Sequence, residues 1–319
     1  MRGVFLDVGS LYPADLDLAE LREALPGWDW FDSTRPEQIA ARIADADVVV
    51  SNKAVLSAPV MASARRLRLV CVAATGTNNV DVAAATQRGI AVCNVPGYAT
   101  PSVVQHTFAL LLALREHLPR YAAAVARGEW QRSAFFSWLG YPFEELRDHV
   151  LGVVGYGATG QGVAQVARAL GMEVQVAALP GRAHADTPVR VPFAQLLEQA
   201  DALSLHCPLT PSTRHLIDGA ALAQMKPSAL LINTARGGLV DEVALLTALR
   251  EGRIAGAALD VVNEEPPSSP HRLLDAGLPN LIVTPHIAWG SRAARQRLVN
   301  ELVLNIRSFS QGVERNRVN

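Results

Sequence analysis

The chain has 319 residues, 50% of them hydrophobic and 18% charged, with a formal net charge of −1. That composition excludes a disordered chain, and the near-neutral balance argues against nucleic acid or an anionic membrane as partner. Cys71, Cys93 and Cys207 lie far apart with no CxxC, so they read as small buried hydrophobes of a reducing compartment, not as disulfide staples or metal ligands. The length suits two domains. The opening MRGVFLDVGSLYPADLDL meets Asp7 before any long apolar run, unlike a signal peptide. No stretch reaches the length of a membrane span. The expectation is a cytoplasmic protein with no membrane or nucleic-acid partner.

Residues 3–8 predict a short apolar strand, and Leu16, Leu18, Leu21 and Leu25 a helix stopped at Pro26-Gly27. A strand at 28–31 and a helix at 36–44 follow. Residues 46–52 are a β-branched apolar run too short for a helix, which suits a buried parallel strand. Two more such strands, at 67–74 and 90–95, flank a helix at 82–88. This alternation predicts a parallel sheet with helices on both faces. Two polar turns at strand ends stand out, Ser51-Asn52-Lys53 and Ala74-Thr75-Gly76-Thr77-Asn78-Asn79. Ligands of open α/β sheets bind outside the strand carboxyl ends, and free amides near a glycine suit an anion. Ordinary turns are the alternative reading.

A long apolar helix at 101–118 then leads to a second domain. Residues 120–147 crowd Trp130, Phe135, Phe136, Trp138, Tyr141 and Phe143 without helix or strand periodicity. They read as an arm packed on their own domain or on a partner subunit. Residues 150–167, VLGVVGYGATGQGVAQVA, carry the strongest signal. Gly155 makes a tight turn, Gly157 lets a pyrophosphate approach the backbone, and Gly160 lets the next helix pack close on the strand. The amides opening that helix face the pyrophosphate. The strand before and the helix after supply the context that a bare GxGxxG lacks. Strands at 173–178, 202–206, 229–234, 255–261 and 281–284 continue the alternation, with helices at 193–199, 220–225 and 242–250. A last helix at 292–309 crosses back to the first domain.

Three polar groups follow strands of the second sheet: Arg236 after LLINTA, Asp260 and Glu265 after AGAAL, and His286 after LIVTP. Parallel strands end on one edge, so these groups gather beside the dinucleotide. An Arg fork grips a carboxylate, and a His with a carboxylate beside it moves a proton near neutral pH. These are the parts that reduce a 2-keto acid beside a nicotinamide. Spacing of His with Cys or Asp suggests no metal.

On GVVGYGATGQGVA, LHCPLTPSTR (205–214), MKP (225–227), LINTARGGLVDE (231–242), DVVNEEP (260–266) and TPH (284–286), the chain resembles the D-isomer-specific 2-hydroxyacid dehydrogenases over essentially its whole length. The resemblance implies an α/β fold of two doubly wound parallel-sheet domains with the active site in the cleft between them. A flavodoxin-like substrate domain would comprise 1–100 and 288–319, and a Rossmann cofactor domain 101–287. It implies His286 as acid/base, Glu265 as its partner, and Arg236 on the substrate carboxylate. Asp260 would hold the nicotinamide carboxamide. The cofactor would be lined by Gly155, Gly157, Ala158, Thr159, Gly160, Cys207, Pro208, Thr234, Ala235 and His286. Asn52, Lys53, Thr75, Gly76 and Thr77 would meet the substrate carboxylate from the other domain. The expected assembly is a homodimer, with Trp138 as a partner-subunit contribution to the site.

ATGTNNVD (74–81) and HIAW (286–289) look most similar to the glycerate dehydrogenase, or hydroxypyruvate and glyoxylate reductase, branch. That implies reduction of a small 2-keto acid to the D-2-hydroxy acid with NAD(P)H. One departure is Ala178, at the end of the second strand, where NAD-preferring members carry an acidic residue for the ribose hydroxyls. NADP is then tolerated or preferred, with Arg182 placed to meet its 2′-phosphate. Rival readings are another 2-hydroxy acid substrate, a formate dehydrogenase of the same fold, and a dinucleotide-sensing corepressor. Formate dehydrogenases put a glutamine where this chain has Glu265.

Overall fold

The short apolar runs become strands of two parallel sheets in the computed structural model, which describes residues 1–179 and 188–319. In chain order the elements are β1 (Arg2–Phe5), α1 (Ala19–Glu23), β2 (Gly27–Trp30), α2 (Pro36–Ile43), β3 (Val48–Ser51), α3 (Ala58–Ser63), β4 (Leu69–Val72), α4 (Val82–Gln87) and β5 (Ala91–Cys93). Then come α5 (Thr100–Arg115), α6 (Leu118–Ala126), β6 (Val150–Val154), α7 (Ala158–Ala169), β7 (Glu173–Ala178), β8 (Arg190–Pro192), α8 (Phe193–Gln199) and β9 (Ala202–Leu205). The last are α9 (Gly219–Gln224), β10 (Leu230–Asn233), α10 (Glu242–Arg250), β11 (Gly256–Leu259), β12 (Leu281–Val283) and α11 (Arg292–Ser310). Two compact units result, one of Met1–Ala99 with Trp289–Asn319, the other of Thr100–Ala288.

The first unit holds a five-stranded parallel sheet in the order β2-β1-β3-β4-β5, the flavodoxin-like winding. Its central strands β3 and β4 are buried at every residue, which is why they read as continuous apolar runs. Ile39, Ile43, Met61 and Ala85 of α2, α3 and α4 pack with Val49 and Val70 on one face. The chain's last helix, α11, returns to this sheet, packing on β4 and α1 through a row that includes Leu298, Leu302 and Ile306. Arg295 clamps it, bonding Asp15 at 2.7 and 2.8 Å and the Leu11 and Tyr12 carbonyls. Cys71 and Cys93 lie side by side on β4 and β5 as free thiols, and burial pushes Cys93 up to about 11.

The second unit holds seven parallel strands in the order β12-β11-β10-β9-β6-β7-β8. The order reverses between β6 and β9, the Rossmann pattern. Successive strand residues alternate between two cores. Leu231, Leu203 and Ala257 face α8, α9 and α10, while Leu230, Ile232, Ala202 and Ala258 face α5 and α7.

The helix expected at 101–118 stops at Arg115, and His117 takes a left-handed φ of 53° before α6 begins. Pro119 explains the break, since it has no N–H to continue the ladder. Helix α6 occupies part of the stretch read as aperiodic. The helix α3 and the three-residue edge strand β8 are additions to the expected elements. Residues 8–11, expected to end a strand and lead to a helix, form a 3-10 turn instead.

Candidate active site

Strand β6 ends at a turn only glycine can make. Gly155 has φ +97°, and a Cβ there would lie 2.5 Å from the Cys207 amide nitrogen. A Cβ on Gly160 would lie 2.1 Å from the Gly155 carbonyl oxygen. At Gly157 a Cβ would meet nothing within 4 Å. So two glycines permit close backbone packing, and the third leaves open space. Gly157 is the N-cap of the 12-residue α7 and no side chain caps that end, so the Ala158 and Thr159 amides remain for an anionic ligand. Cys207, beside this turn at the end of β9, is buried, and Pro208 after it is exposed. The turn therefore sits where the strand order reverses, the switch point at which dinucleotides bind.

Strand β10 delivers Thr234, Ala235 and Arg236 to the same edge. The wholly buried Asn233 shapes this turn, its Oδ1 accepting from the Ala235 amide at 3.0 Å and its Nδ2 donating to the Arg236 carbonyl at 2.9 Å. Gly237 lies so close to the next loop that a Cβ would be 2.1 Å from the Val262 carbonyl. Arg236 itself is exposed, donating from Nη1 to the Ala235 carbonyl.

The loop after β11 carries Glu265 and the loop after β12 carries His286. The Nδ1 of His286 is 2.6 Å from Glu265 Oε2, with both side chains about one-third exposed at 30% and 32%. Glu265 Oε1 accepts from the Val262 amide at 3.0 Å, which fixes the carboxylate. With Nδ1 facing the carboxylate, Nε2 is the nitrogen left for a substrate. His286 takes a left-handed φ of 53°, and its amide donates to the carbonyls of Asp260 and Thr284.

The Asp260 side chain, the candidate for the nicotinamide carboxamide, is 1% exposed. It accepts from Thr284 Oγ1 at 2.5 Å and from the Ile287 and Ala288 amides at 2.9 and 2.8 Å. Burial raises its pKa, but hydrogen bonds from His106, Thr284, Ala288 and Ile287 outweigh that and hold it below the ordinary carboxylate value. Its evident work is to anchor the His286 loop.

In the first unit, the Ser51–Lys53 turn differs from expectation. Its amides are not free, because the Asp7 carboxylate accepts from Asn52, Lys53 and Ala54 at 2.9, 2.6 and 2.8 Å. An anion there would compete with a buried carboxylate, which leaves the exposed Lys53 ammonium as the polar group this turn offers. At the second turn, Thr75 Oγ1 donates to the Val95 carbonyl, and the Gly76 and Thr77 amides have no protein acceptor among the described residues. Trp138 packs edge-on against Tyr121 and Tyr141 of its own chain, at 5.8 and 5.4 Å. Ala178 is half-buried at the end of β7, while Arg182 lies outside the described residues.

Residues outside the expected site set also shape the site. His106 of α5 reaches Thr284 Oγ1 at 3.0 Å, and Glu242 accepts from the Asn263 amide at 2.7 Å in the loop carrying Glu265. Among the described residues no cluster of His, Cys, Asp and Glu could hold a metal, and no helix is long and apolar enough to cross a membrane.

Comparison with known proteins shows the family of the chain. Residues 108–288 match the family described as D-isomer specific 2-hydroxyacid dehydrogenase, NAD binding domain. The chain is 43% identical to a glycerate dehydrogenase of Methylorubrum extorquens, over 98% of this chain and 97% of that protein. It is 38% identical to a hydroxypyruvate reductase of Blautia hydrogenotrophica, over the full length of both. Among solved structures it superimposes on an acyclic imino acid reductase in complex with NADPH and D-arginine, with a TM-score of 0.88 and 27% identity over all of both chains. An open glycine turn at a Rossmann switch point and a His–carboxylate pair on the same sheet edge are thus the features of a chain that belongs to the D-isomer-specific 2-hydroxyacid dehydrogenases, a family of oxidoreductases that use a nicotinamide dinucleotide.

Proposed function

We propose that this enzyme reduces hydroxypyruvate or glyoxylate to the D-2-hydroxy acid, with His286 as the acid. The observation that carries the reading is the 2.6 Å contact of His286 Nδ1 with Glu265, on the sheet edge that also bears the open glycine turn. The similarity to a glycerate dehydrogenase and a hydroxypyruvate reductase supports the substrate class. A nicotinamide dinucleotide held at the Gly155–Gly160 turn would supply the hydride that C2 of the keto acid takes up. His286 Nε2 gives its proton to the keto oxygen, so that the C2 carbonyl becomes a hydroxyl. Glu265, held against Nδ1, orients the ring so that Nε2 faces the substrate. The Arg236 guanidinium grips the substrate carboxylate and polarises the keto oxygen. The Gly76 and Thr77 amides of the first unit are a second candidate anion binder. Ala178 supports use of NADPH as well as NADH, and the exposed aromatic arm supports a homodimer.

A steady-state panel of glyoxylate, hydroxypyruvate, pyruvate and phosphonopyruvate with both cofactors tests this reading. Hydroxypyruvate or glyoxylate should be turned over best. His286→Ala should lower kcat by roughly 10²–10⁴, the scale of acid–base catalysis, with dinucleotide affinity retained. Absence of 2-keto acid reduction, or near-normal turnover in the His286 variant, would overturn it.

A further inference from the structure

We propose that His106, on helix α5, is a positioning residue for this reaction: its Nε2 holds the Thr284–Asp260 pair around which the His286 loop is wrapped. The inference rests on His286 being the acid, and adds the group that fixes where that acid stands.

The chain of contacts is continuous. The Thr284 hydroxyl donates its one proton to Asp260 Oδ1 at 2.5 Å. The Thr284 oxygen can then only accept, so the partner at 3.0 Å, His106 Nε2, carries a proton and donates it. The same nitrogen is 3.4 Å from Asp260 Oδ1. Asp260 in turn receives the Ile287 and Ala288 amides on its carboxylate and the His286 amide, at 2.8 Å, on its carbonyl. Thr284, His286, Ile287 and Ala288 are thereby all tied to one buried aspartate.

Two features make His106 more than one contact among several. First, His286 has a left-handed backbone, a conformation unfavourable for a side-chain-bearing residue that persists only where its surroundings over-determine it. The Asp260 bonds are those surroundings. Second, His106 stands on a rigid base. Val104, Phe108, Leu110 and Leu111 of the 16-residue α5 are buried, and Thr107 Oγ1 lies 3.2 Å from Thr234 Oγ1 at the end of β10. The helix thus braces the loops after β10 and β12 at once. Without the His106 donor, the Thr284 hydroxyl loses the proton it accepts, the buried Asp260 carboxylate loses a neighbour, and the His286 loop can relax. A displacement of about 1 Å at a reacting group costs on the order of a hundredfold in rate.

The test uses the reach of the contacting atom. Glutamine can place its amide nitrogen near the position of Nε2, whereas asparagine is a bond too short and leucine has no donor. His106→Leu and His106→Asn should lower kcat by roughly ten- to a hundredfold, with keto-acid KM and dinucleotide Kd within about twofold of wild type. His106→Gln should recover most of the loss. A purely structural role would lower the melting temperature of all three without that ordering in kcat. If the leucine variant fails to fold, the Gln–Asn pair decides, since both fill similar space and differ in reach. Wild-type kcat in all variants, equal loss in all, or a rise in KM at constant kcat overturns the proposal. His286→Ala is measured alongside. Its inactivity beside an unaffected His106→Leu removes only the positioning role, and its near-normal turnover removes the acid assignment instead.

Discussion

On the proposed reading, Ala178 sets a methyl group where a carboxylate would select NADH. A carboxylate at this strand end accepts from the ribose hydroxyls and repels a 2′-phosphate. The side chain at the end of β7 is half-buried and uncharged, so neither effect operates. NADPH should therefore serve at least as well as NADH. Ala178→Asp should cut kcat/KM for NADPH by about ten- to a hundredfold, the scale of a lost or opposed charge-assisted contact, and spare NADH. A wild type preferring NADH by about tenfold or more would refute this. A second residue-level prediction concerns His206, whose Nε2 lies 2.8 Å from the fully buried Ser204 hydroxyl. Burial holds His206 down to about 4 from an ordinary 6.5. Between those values the unfolded chain binds a proton that the folded chain refuses, so stability rises with pH across the window and is lost as pH falls through it. The effect is at most about 3 kcal/mol, and partial solvent contact reduces it. Urea unfolding at several pH values should show this slope, and His206→Gln should flatten it. Equal slopes in the two proteins would place its origin elsewhere. Arg236, Glu265 and His286 were legible because each follows an apolar strand in a distinctive motif. His106 was not, because its contact is made across the fold and a lone His on an apolar helix gives no sign of what it faces. Asn233 and Glu242 stood inside the LINTARGGLVDE motif, but the motif did not tell that their side chains would hold the Arg236 turn and the Glu265 loop.

The turn between β6 and α7 contains two kinds of glycine, and substitution should separate them. Gly160→Ala places a methyl 2.1 Å from a backbone oxygen, so the turn must open. Both melting temperature and dinucleotide affinity should fall. Gly157→Ala has a negative φ of −79° and open space, so the fold should keep its melting temperature within about 2 °C. Its methyl would nonetheless occupy the approach to the pyrophosphate, and dinucleotide Kd should rise about tenfold or more. Calorimetry with fluorescence titration reads both quantities. Unchanged dinucleotide affinity in Gly157→Ala would show that the open space is not the pyrophosphate approach. The element order was readable where both faces are covered, since β3, β9, β10 and β11 are buried at every residue and so read as short, mostly apolar runs. It was poorly readable at the margins. Strand β8 is three residues on a sheet edge, one of them proline, and the α5–α6 break depends on one proline within an apolar stretch. The amides of the Ser51–Lys53 turn were misread for a similar reason: the carboxylate that takes them, Asp7, lies far away in sequence.

For the whole molecule, the exposed face of the arm points to a second copy of the chain. Phe135, Phe136 and Leu139 are 78%, 93% and 76% exposed, a row of apolar side chains that water does not favour. Aromatic density made the arm legible, but not which rings turn outward. Trp138, the residue expected to reach a partner, folds back on Tyr121 and Tyr141, and Gly140 permits this, since a Cβ there would lie 2.2 Å from the indole. The contact is therefore expected to depend on Phe135 and Phe136 more than on Trp138. A two-fold interface uses each patch twice. Truncating both phenylalanines changes four buried side chains, at roughly 1.5–3 kcal/mol each. The sum, about 6–12 kcal/mol, is several powers of ten in Kd. Light scattering at micromolar concentration should give twice the 34.1 kDa chain mass for the wild type. Phe135→Ser with Phe136→Ser should give the single-chain mass with an unchanged far-ultraviolet spectrum, and Trp138→Ala should remain a dimer. A monomeric wild type removes the second copy. A dimer that survives the double substitution while Trp138→Ala dissociates returns the interface to the indole.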